Sequence, residues 1–366
     1  RLVRLSSLGT AVILALTLSA CGGGGDGPPL EIIPKYLTLD GKPPQVIAHR
    51  GYSGLYPEQT RMAYEKAADA GADMLELDMH LTRDCQLVAR HNAWLSDSTN
   101  VKEVAKTNDA VAALKRTAPG VLVSVKYPPT VANGPAKYLS DQIDLNDPRS
   151  VLKPLVVDGE DHTGDWSVSD FSLHELKTLL AGKILDNAKD RPTDLNGKLP
   201  LISAQDVLDI AAAKSKELKR TIPVYAETKN PYWNNQQAIA NGCGLPGSHP
   251  LEDAVMALLE KNQLNSQSAP IYIQSFDPES LKYLRKAGMK AKGVQLVDGN
   301  DINFQDGSMV YITNDEWTFI SGRPYSWTLA GDARTFGAML TTPGLAEIKT
   351  YADGIGPWKP QVLAHS

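Results

Sequence analysis

From residue 45 onward, short apolar runs alternate with stretches whose apolar positions recur every three or four residues. The short runs predict strands at 46–48, 73–79, 86–89, 222–226, 271–273 and 293–297. The periodic stretches predict helices at 60–70, 204–218, 251–261 and 278–286. In the first of these, Met62, Ala63, Ala67 and Ala70 share a face, and Gly71 supplies a stop. Repeated strand-then-helix units predict a parallel sheet covered by helices, a pattern that open and closed sheets both satisfy. Residues 101–165 break the alternation, with several Pro, Gly and Asn and one isolated apolar stretch at 120–125, and are expected to form an insertion. No internal repeat is present.

The chain has 366 residues and a formal net charge of −5, with 42% hydrophobic residues. That suffices for one large α/β domain with a buried core, and the acidity excludes a nucleic-acid backbone as the main partner. The first twenty residues read as an export signal. Arg1 and Arg4 precede an apolar run at 11–18, too short to span a bilayer, and then Leu18-Ser19-Ala20-Cys21. This tetrapeptide resembles a bacterial lipobox, which implies cleavage before Cys21 and its acylation. Residues 21–44, opening Cys21-Gly22-Gly23-Gly24-Gly25, read as a flexible tether. The expected address is therefore the periplasm or cell envelope, with a lipid anchor in the membrane. Cys85 and Cys243 remain. An exported protein allows a bridge between them, but two free buried thiols are the expectation.

Candidate chemistry begins with Glu76-Leu77-Asp78. In a strand, Glu76 and Asp78 point one way while Leu75 and Leu77 point the other. Two carboxylates on one face of an otherwise apolar strand are costly to bury, and a hard divalent cation such as Ca²⁺ or Mg²⁺ removes that cost. His80 continues the same face and is expected near the rim. His49 and Arg50 end the first strand, and His91 ends the third. Arginine matches a phosphate with forked donors, and histidine titrates near neutral pH, so two histidines at two strand ends can serve a phosphodiester as acid and base. Glu227 and Lys229 end a further strand. Glu227 completes a three-carboxylate set, and Lys229 adds a positive charge for phosphate. His162, His174 and His249 are expected to be solvated. The tryptophans at 94, 166, 233, 317 and 327 are assigned by default to the core.

Several segments together resemble the glycerophosphodiester phosphodiesterase family, in its periplasmic or secreted branch. They are His49-Arg50-Gly51, Tyr56-Pro57-Glu58-Gln59-Thr60, Glu76-Leu77-Asp78, Leu81-Thr82-Arg83-Asp84, Val88-Ala89-Arg90-His91, Tyr225-Ala226-Glu227-Thr228-Lys229, Ile273-Gln274-Ser275-Phe276 and Ala352-Asp353-Gly354-Ile355-Gly356-Pro357-Trp358. The resemblance implies a TIM-type (β/α)8 barrel over residues 45–366 and a metal-dependent hydrolase yielding glycerol 3-phosphate and an alcohol. It assigns Glu76, Asp78 and Glu227 to one divalent cation, Ca²⁺ or Mg²⁺. His49 and His91 become the acid–base pair, with His91 favoured as the acid. Arg50 and Lys229 hold the phosphate, Glu58 supports it, and Phe276 and Trp358 wall the pocket.

The sequence departs from the family pattern at three points. Gln59 stands where Asn is usual, and Asn92 follows His91 where an acid is usual. The chain also ends eight residues after Trp358, so the last strand and helix are expected to be lacking and the C-terminal end truncated. Two further readings stay open: a non-catalytic surface lipoprotein that keeps the barrel, and a related lyase that cyclises phospholipids.

Overall fold

A computed structural model describes residues 41, 43–116, 122–126, 137–140, 150–152, 156–157, 160–299, 301–303, 305–306, 308–311 and 322–362. Cys21, the signal segment and most of the tether lie outside the described residues. The body that follows is a curled sheet with helices packed on it.

In chain order its framework is β1 (Ile47–Ala48), α1 (Arg61–Asp69), β2 (Met74–Leu81), β3 (Leu87–Ala89), α2 (Ala204–Glu217), β4 (Val224–Thr228), α3 (Pro231–Ala240), α4 (Pro250–Lys261), β5 (Ile271–Ser275), α5 (Pro278–Lys286), β6 (Lys292–Val297) and β7 (Gly354–Pro357). Strands β1-β2-β4-β5-β6-β7 lie side by side in that order, and every adjacent pair is parallel. The fold is thus an α/β barrel of the TIM type left open by the strands described. Its two edges carry exposed apolar residues, with Ile47 42% and Ile355 38% accessible. Sequence alternation found most of this framework, because each parallel crossover needs its own helix, but predicted neither α3 nor β7.

β3 breaks the pattern. It runs antiparallel to β2, with Met79 opposite Ala89 and Leu81 opposite Leu87. A short turn joins β2 to β3, and no helix intervenes to reverse the chain. All eight residues of β2 are buried, as befits a strand covered on both faces. Its Leu75, Leu77 and Met79 join Val224, Ala226, Ile271 and Ile273 in the core against Leu208, Leu251, Val255 and Leu259. Fully burying each such side chain contributes about 1.5–3 kcal/mol. Helix α1 starts where Thr60 caps Ala63 N–H and buries Ala63, Tyr64, Ala67 and Ala68, a face one residue round from the one expected, since Ala70 is exposed.

Within the expected insertion lie two short helices, Val101–Val104 and Asp109–Ala113, and an antiparallel sheet of Leu122–Lys126, Lys137–Ser140 and Ser150–Leu152. Val101 and Val111 join Trp94, Trp166 and Phe171 in a second apolar cluster. Trp327 is buried as well, whereas Trp317 lies outside the described residues.

The expectation of free thiols is overturned. Cys85 and Cys243, 158 positions apart, form a disulfide. It ties the β2–β3 turn to the segment after α3. Only the tertiary fold brings two such distant cysteines together, so spacing gave no signal.

Candidate active site

The site is built at the carboxyl ends of β1, β2 and β4. In the β2–β4 ladder, Glu227 sits directly opposite Asp78. Paired residues in a parallel ladder point to the same face, so the register itself brings the second and third acids together. Glu76, two residues before Asp78, shares that face. Ligand oxygens of Glu76, Asp78 and Glu227 all lie within 4.8 Å of one another, and all three residues are buried.

Burial and the two neighbouring acids push the Glu76 carboxyl well above its ordinary value. Burial raises Glu227 to about 8, with Asp78 adding to the effect and Lys229 opposing it. Asp78 goes the other way: burial is outweighed by the positive charge of Lys229 and Arg50, and its carboxyl is lowered. The Oδ1 atom of Asp78 is buried with no protein partner. Three converging carboxylates, one with an orphaned oxygen, fit a hard divalent cation with oxygen ligands.

Arg50 has φ 62° and Gly51 φ 80°. At Gly51 a side chain would bring its Cβ within 2.7 Å of the Ala63 backbone, so only glycine fits there. The turn directs Arg50 N–H onto Glu76 Oε2 at 2.7 Å. The Arg50 guanidinium reaches Glu58 Oε2 at 3.0 Å and Asp78 Oδ2 at 3.4 Å. Glu58 thus holds the Arg50 guanidinium. Gln59, itself at φ 56°, donates to Asp78 Oδ2 at 2.7 Å and accepts from the buried Tyr64 hydroxyl. Gln274 donates to Glu76 Oε1 at 3.3 Å. An amide at position 59 was noted in the sequence, but its contact with a candidate ligand needs the turn geometry to be seen.

His91 follows β3 by two residues. Lys229 Nζ donates to its Nε2 at 3.1 Å, and Nδ1–H donates to Asn92 Oδ1 at 2.7 Å. Asn92 in turn donates to the Asp97 carboxylate. An ammonium and a carboxylate have fixed roles, so this chain sets the tautomer: Nδ1 carries the proton and Nε2 the lone pair. Burial, then Lys229, holds the imidazole well below its ordinary value and therefore neutral. The acid that usually follows this histidine is thus replaced by a relay through Asn92 to Asp97, which sequence spacing did not reveal.

His80 is not at the rim. It is fully buried behind His91, where Asn234 Nδ2 donates to its Nδ1 at 2.9 Å and its Nε2–H donates to the His91 carbonyl at 3.0 Å. Asn234, on α3, also accepts from Leu81 N–H and donates to the Lys229 carbonyl, fastening β2 to the end of β4. Burial lowers His80 to about 4, so it stays neutral. Asn234 was missed because one polar residue in a helix carries no signal of its own.

Lys229 Nζ lies 3.1 Å from Glu227 Oε1 and 5.9 Å above the Phe276 ring. Burial lowers its basicity, but Glu227 and Asp78 outweigh this and keep it protonated. His49 is exposed at the mouth; partial desolvation and then Arg50 lower its imidazole, while Asp78 works against them. Beside this centre is a cavity of about 310 Å³, lined by His91, Glu227, Lys229 and Phe276 among others. Trp358 does not line it. Its residue is 37% exposed, and its indole lies beside Gly299 beyond β6. The expected wall role is corrected, because the indole packs beside Gly299 and not among the residues that line the cavity. Of the other histidines, His162 stacks on Trp94 and His249 on Tyr283, so neither is simply solvated.

The model of the glycerophosphoryl diester phosphodiesterase family matches residues 49–323, a span that contains this whole constellation except Trp358. The chain belongs to that family. By class it is a phosphoric diester hydrolase. A glycerophosphodiester phosphodiesterase of Arabidopsis thaliana is 28% identical over 368 residues, spanning 96% of this chain and 76% of the relative. One of Haemophilus influenzae is 22% identical, over 85% of this chain and 68% of its own. One of Bacillus altitudinis is 45% identical over 62 residues, only 25% of its length. Among solved structures, a phosphodiesterase of Oleispira antarctica in complex with sn-glycerol-3-phosphate matches 87% of this chain and 94% of its own at 17% identity and a TM-score of 0.41.

Proposed function

We propose that this chain hydrolyses glycerophosphodiesters to glycerol 3-phosphate and an alcohol, by acid–base catalysis between His49 and His91 beside a divalent cation, Ca²⁺ or Mg²⁺. The observation that carries the reading is the convergence of three buried carboxylates with a buried lysine and a neutral, tautomer-locked imidazole. Glu76, Asp78 and Glu227 would hold the cation, which when bound supplies Lewis-acid neutralisation of charge on the phosphoryl oxygens. Arg50 and Lys229 stabilise the same charge with donors already oriented by Glu58 and Glu227.

The lone pair at His91 Nε2 favours this residue as the base, the reverse of the role expected from sequence. At rest that nitrogen is unprotonated and accepts from Lys229 Nζ, so it becomes available as a base when the substrate phosphate draws the ammonium away. His91 takes the proton of the attacking hydroxyl, which is water or the neighbouring glycerol hydroxyl; in the second case water then opens the resulting cyclic phosphate to glycerol 3-phosphate. His49, exposed and able to recharge from solvent, gives a proton to the leaving alkoxide. The His80 and Asn92 contacts hold the His91 backbone and ring in place for this transfer.

Released glycerol 3-phosphate, coupled to its dehydrogenase, measures the reaction with glycerophosphocholine as substrate. His91→Ala is expected to lower kcat by about 10²–10⁴-fold with KM nearly unchanged. Full activity in that variant removes the assignment.

The lipobox-like Leu18-Ser19-Ala20-Cys21 supports export and lipid anchoring in the cell envelope, in the periplasmic or secreted branch of the family. The disulfide agrees with an oxidising compartment. Labelling with a radioactive fatty acid is expected to mark the wild-type chain and to fail for Cys21→Ser; equal labelling of both contradicts the anchor.

A further inference from the structure

The two loops that carry His49 and His91 are held by a third segment, distant from both in sequence. Ala181–Gly182 and Leu199–Pro200 pair antiparallel, and residues 183–198 form the excursion between them. On one side the base of this hairpin meets the segment that runs into Thr60. Leu201 bridges Thr60, and a Cβ on Gly182 would stand 3.0 Å from Thr60 Cγ2 and 3.2 Å from Pro57 Cβ. On the other side it meets the loop after His91. Asn100 N–H donates to the Ala181 carbonyl at 3.0 Å, Ala181 N–H to Asn100 Oδ1 at 2.8 Å, and Lys183 N–H to the Ser98 carbonyl at 2.9 Å. From the middle of the excursion Arg191 reaches back to the mouth, where its Nη1 donates to the Ser53 carbonyl at 3.1 Å. Ser53 Oγ in turn donates to the His49 carbonyl at 2.9 Å.

We propose that this hairpin is a clasp that fixes the spacing between His49 and His91, and that Arg191 is a positioning residue for His49. The proposal rests on the reading of His49 as the group that protonates the leaving alcohol. The two imidazoles differ in how they are held. His91 has a partner at each ring nitrogen. Among the described residues, no side-chain hydrogen bond holds the His49 ring. Its place is therefore set by its backbone, at the start of an exposed surface turn. Such turns move more than the strands they follow unless they are tied down. The chain from Arg191 through Ser53 to His49 supplies the tie, across 138 positions of sequence. A guanidinium that donates to a carbonyl makes a charge-assisted contact, stronger than a neutral one. Arg191 also adds its charge to those of Arg50 and Lys229 around the His49 imidazole, with Asp78 opposing them. Positive charge beside a proton donor favours giving the proton up. A general acid must stand within hydrogen-bond reach of the leaving oxygen, and a misplacement of about 1 Å can cost about 10²-fold in rate.

A leaving group that needs no proton separates positioning of the acid from general damage to the site. Glycerophosphocholine must expel an alkoxide, whereas the nitrophenyl ester of glycerol 3-phosphate expels a phenolate that is stable near neutral pH. Both release glycerol 3-phosphate to the same coupled assay. Arg191→Gln and Ser53→Ala are each expected to lower kcat for glycerophosphocholine about tenfold, part of the roughly 10²–10⁴-fold that a general acid contributes, and to slow the nitrophenyl ester less than about threefold. Arg191→Lys keeps the charge and a donor, enough for one contact to a carbonyl, and is expected to stay within about threefold of wild type. In a His49→Ala background, Arg191→Gln is expected to add no further loss, because it acts through that ring. Equal slowing of both esters, or no slowing of either, overturns the proposal, as does a further loss in the His49→Ala background. Hydrolysis of neither ester by the wild-type protein sinks the activity reading itself, and the proposal with it.

Discussion

Glu227 carries the clearest electrostatic consequence at the scale of single residues. Its carboxyl is held up to about 8, chiefly by burial, against a value of 4.5 in the unfolded chain. Between those two pH values the metal-free folded state binds a proton that the unfolded state has released. The stability this confers is complete below pH 4.5 and is lost as pH rises toward 8. Glu76 shifts in the same direction. Above the range in which unfolding would let His49, His80 and His91 take up protons, melting of the chelator-treated protein is therefore expected at progressively lower temperature from about pH 7 to pH 8, with Ca²⁺ or Mg²⁺ restoring it at the upper end. A melting temperature independent of both pH and cation contradicts the charge assignment. The identity of these residues was legible in the sequence, because alternation in a strand fixes which side chains share a face. The supporting shell was not. Asn234, Asp97 and Gln274 are single polar residues that gain meaning only from contacts across distant segments.

At the scale of elements, five of the six parallel strands and four of the five framework helices follow from hydrophobic periodicity, with errors of one or two residues at the ends, whereas α3 and β7 were not predicted. β3 was misjudged in direction because a three-residue apolar run has no intrinsic polarity. Its antiparallel course matters, since it brings His91 back to the mouth beside Lys229. The Cys85–Cys243 bridge pins this same corner and closes a loop 158 residues long. Chain-entropy arguments put its contribution near 5 kcal/mol at most, and measured losses run about 2–5 kcal/mol. Cys85→Ser is expected to lower the denaturant midpoint by a corresponding amount while the slope stays close to wild type. An unchanged midpoint, with the thiols found free in the wild type, shows that the bridge does not form in solution.

At the scale of the whole molecule, the described strands form an open curl, and the candidate site sits on its first three members, β1, β2 and β4, with His91 brought in after β3. The open curl of the described strands was foreseen from the sequence, and so was the grouping of Glu76, Asp78 and Glu227. Trp358 was carried over from the resemblance and lies outside the cavity, because a motif specifies which residue follows a strand and not where its side chain turns. The proposed reaction depends on one assembled centre. Calorimetric titration of Ca²⁺ or Mg²⁺ into chelator-stripped protein tests it most directly. The account predicts one cation per chain, affinity that rises as pH is raised toward 8 with protons released on binding, and loss of binding when Glu76, Asp78 and Glu227 are all replaced by their amides. Undiminished cation binding by that triple variant would contradict it.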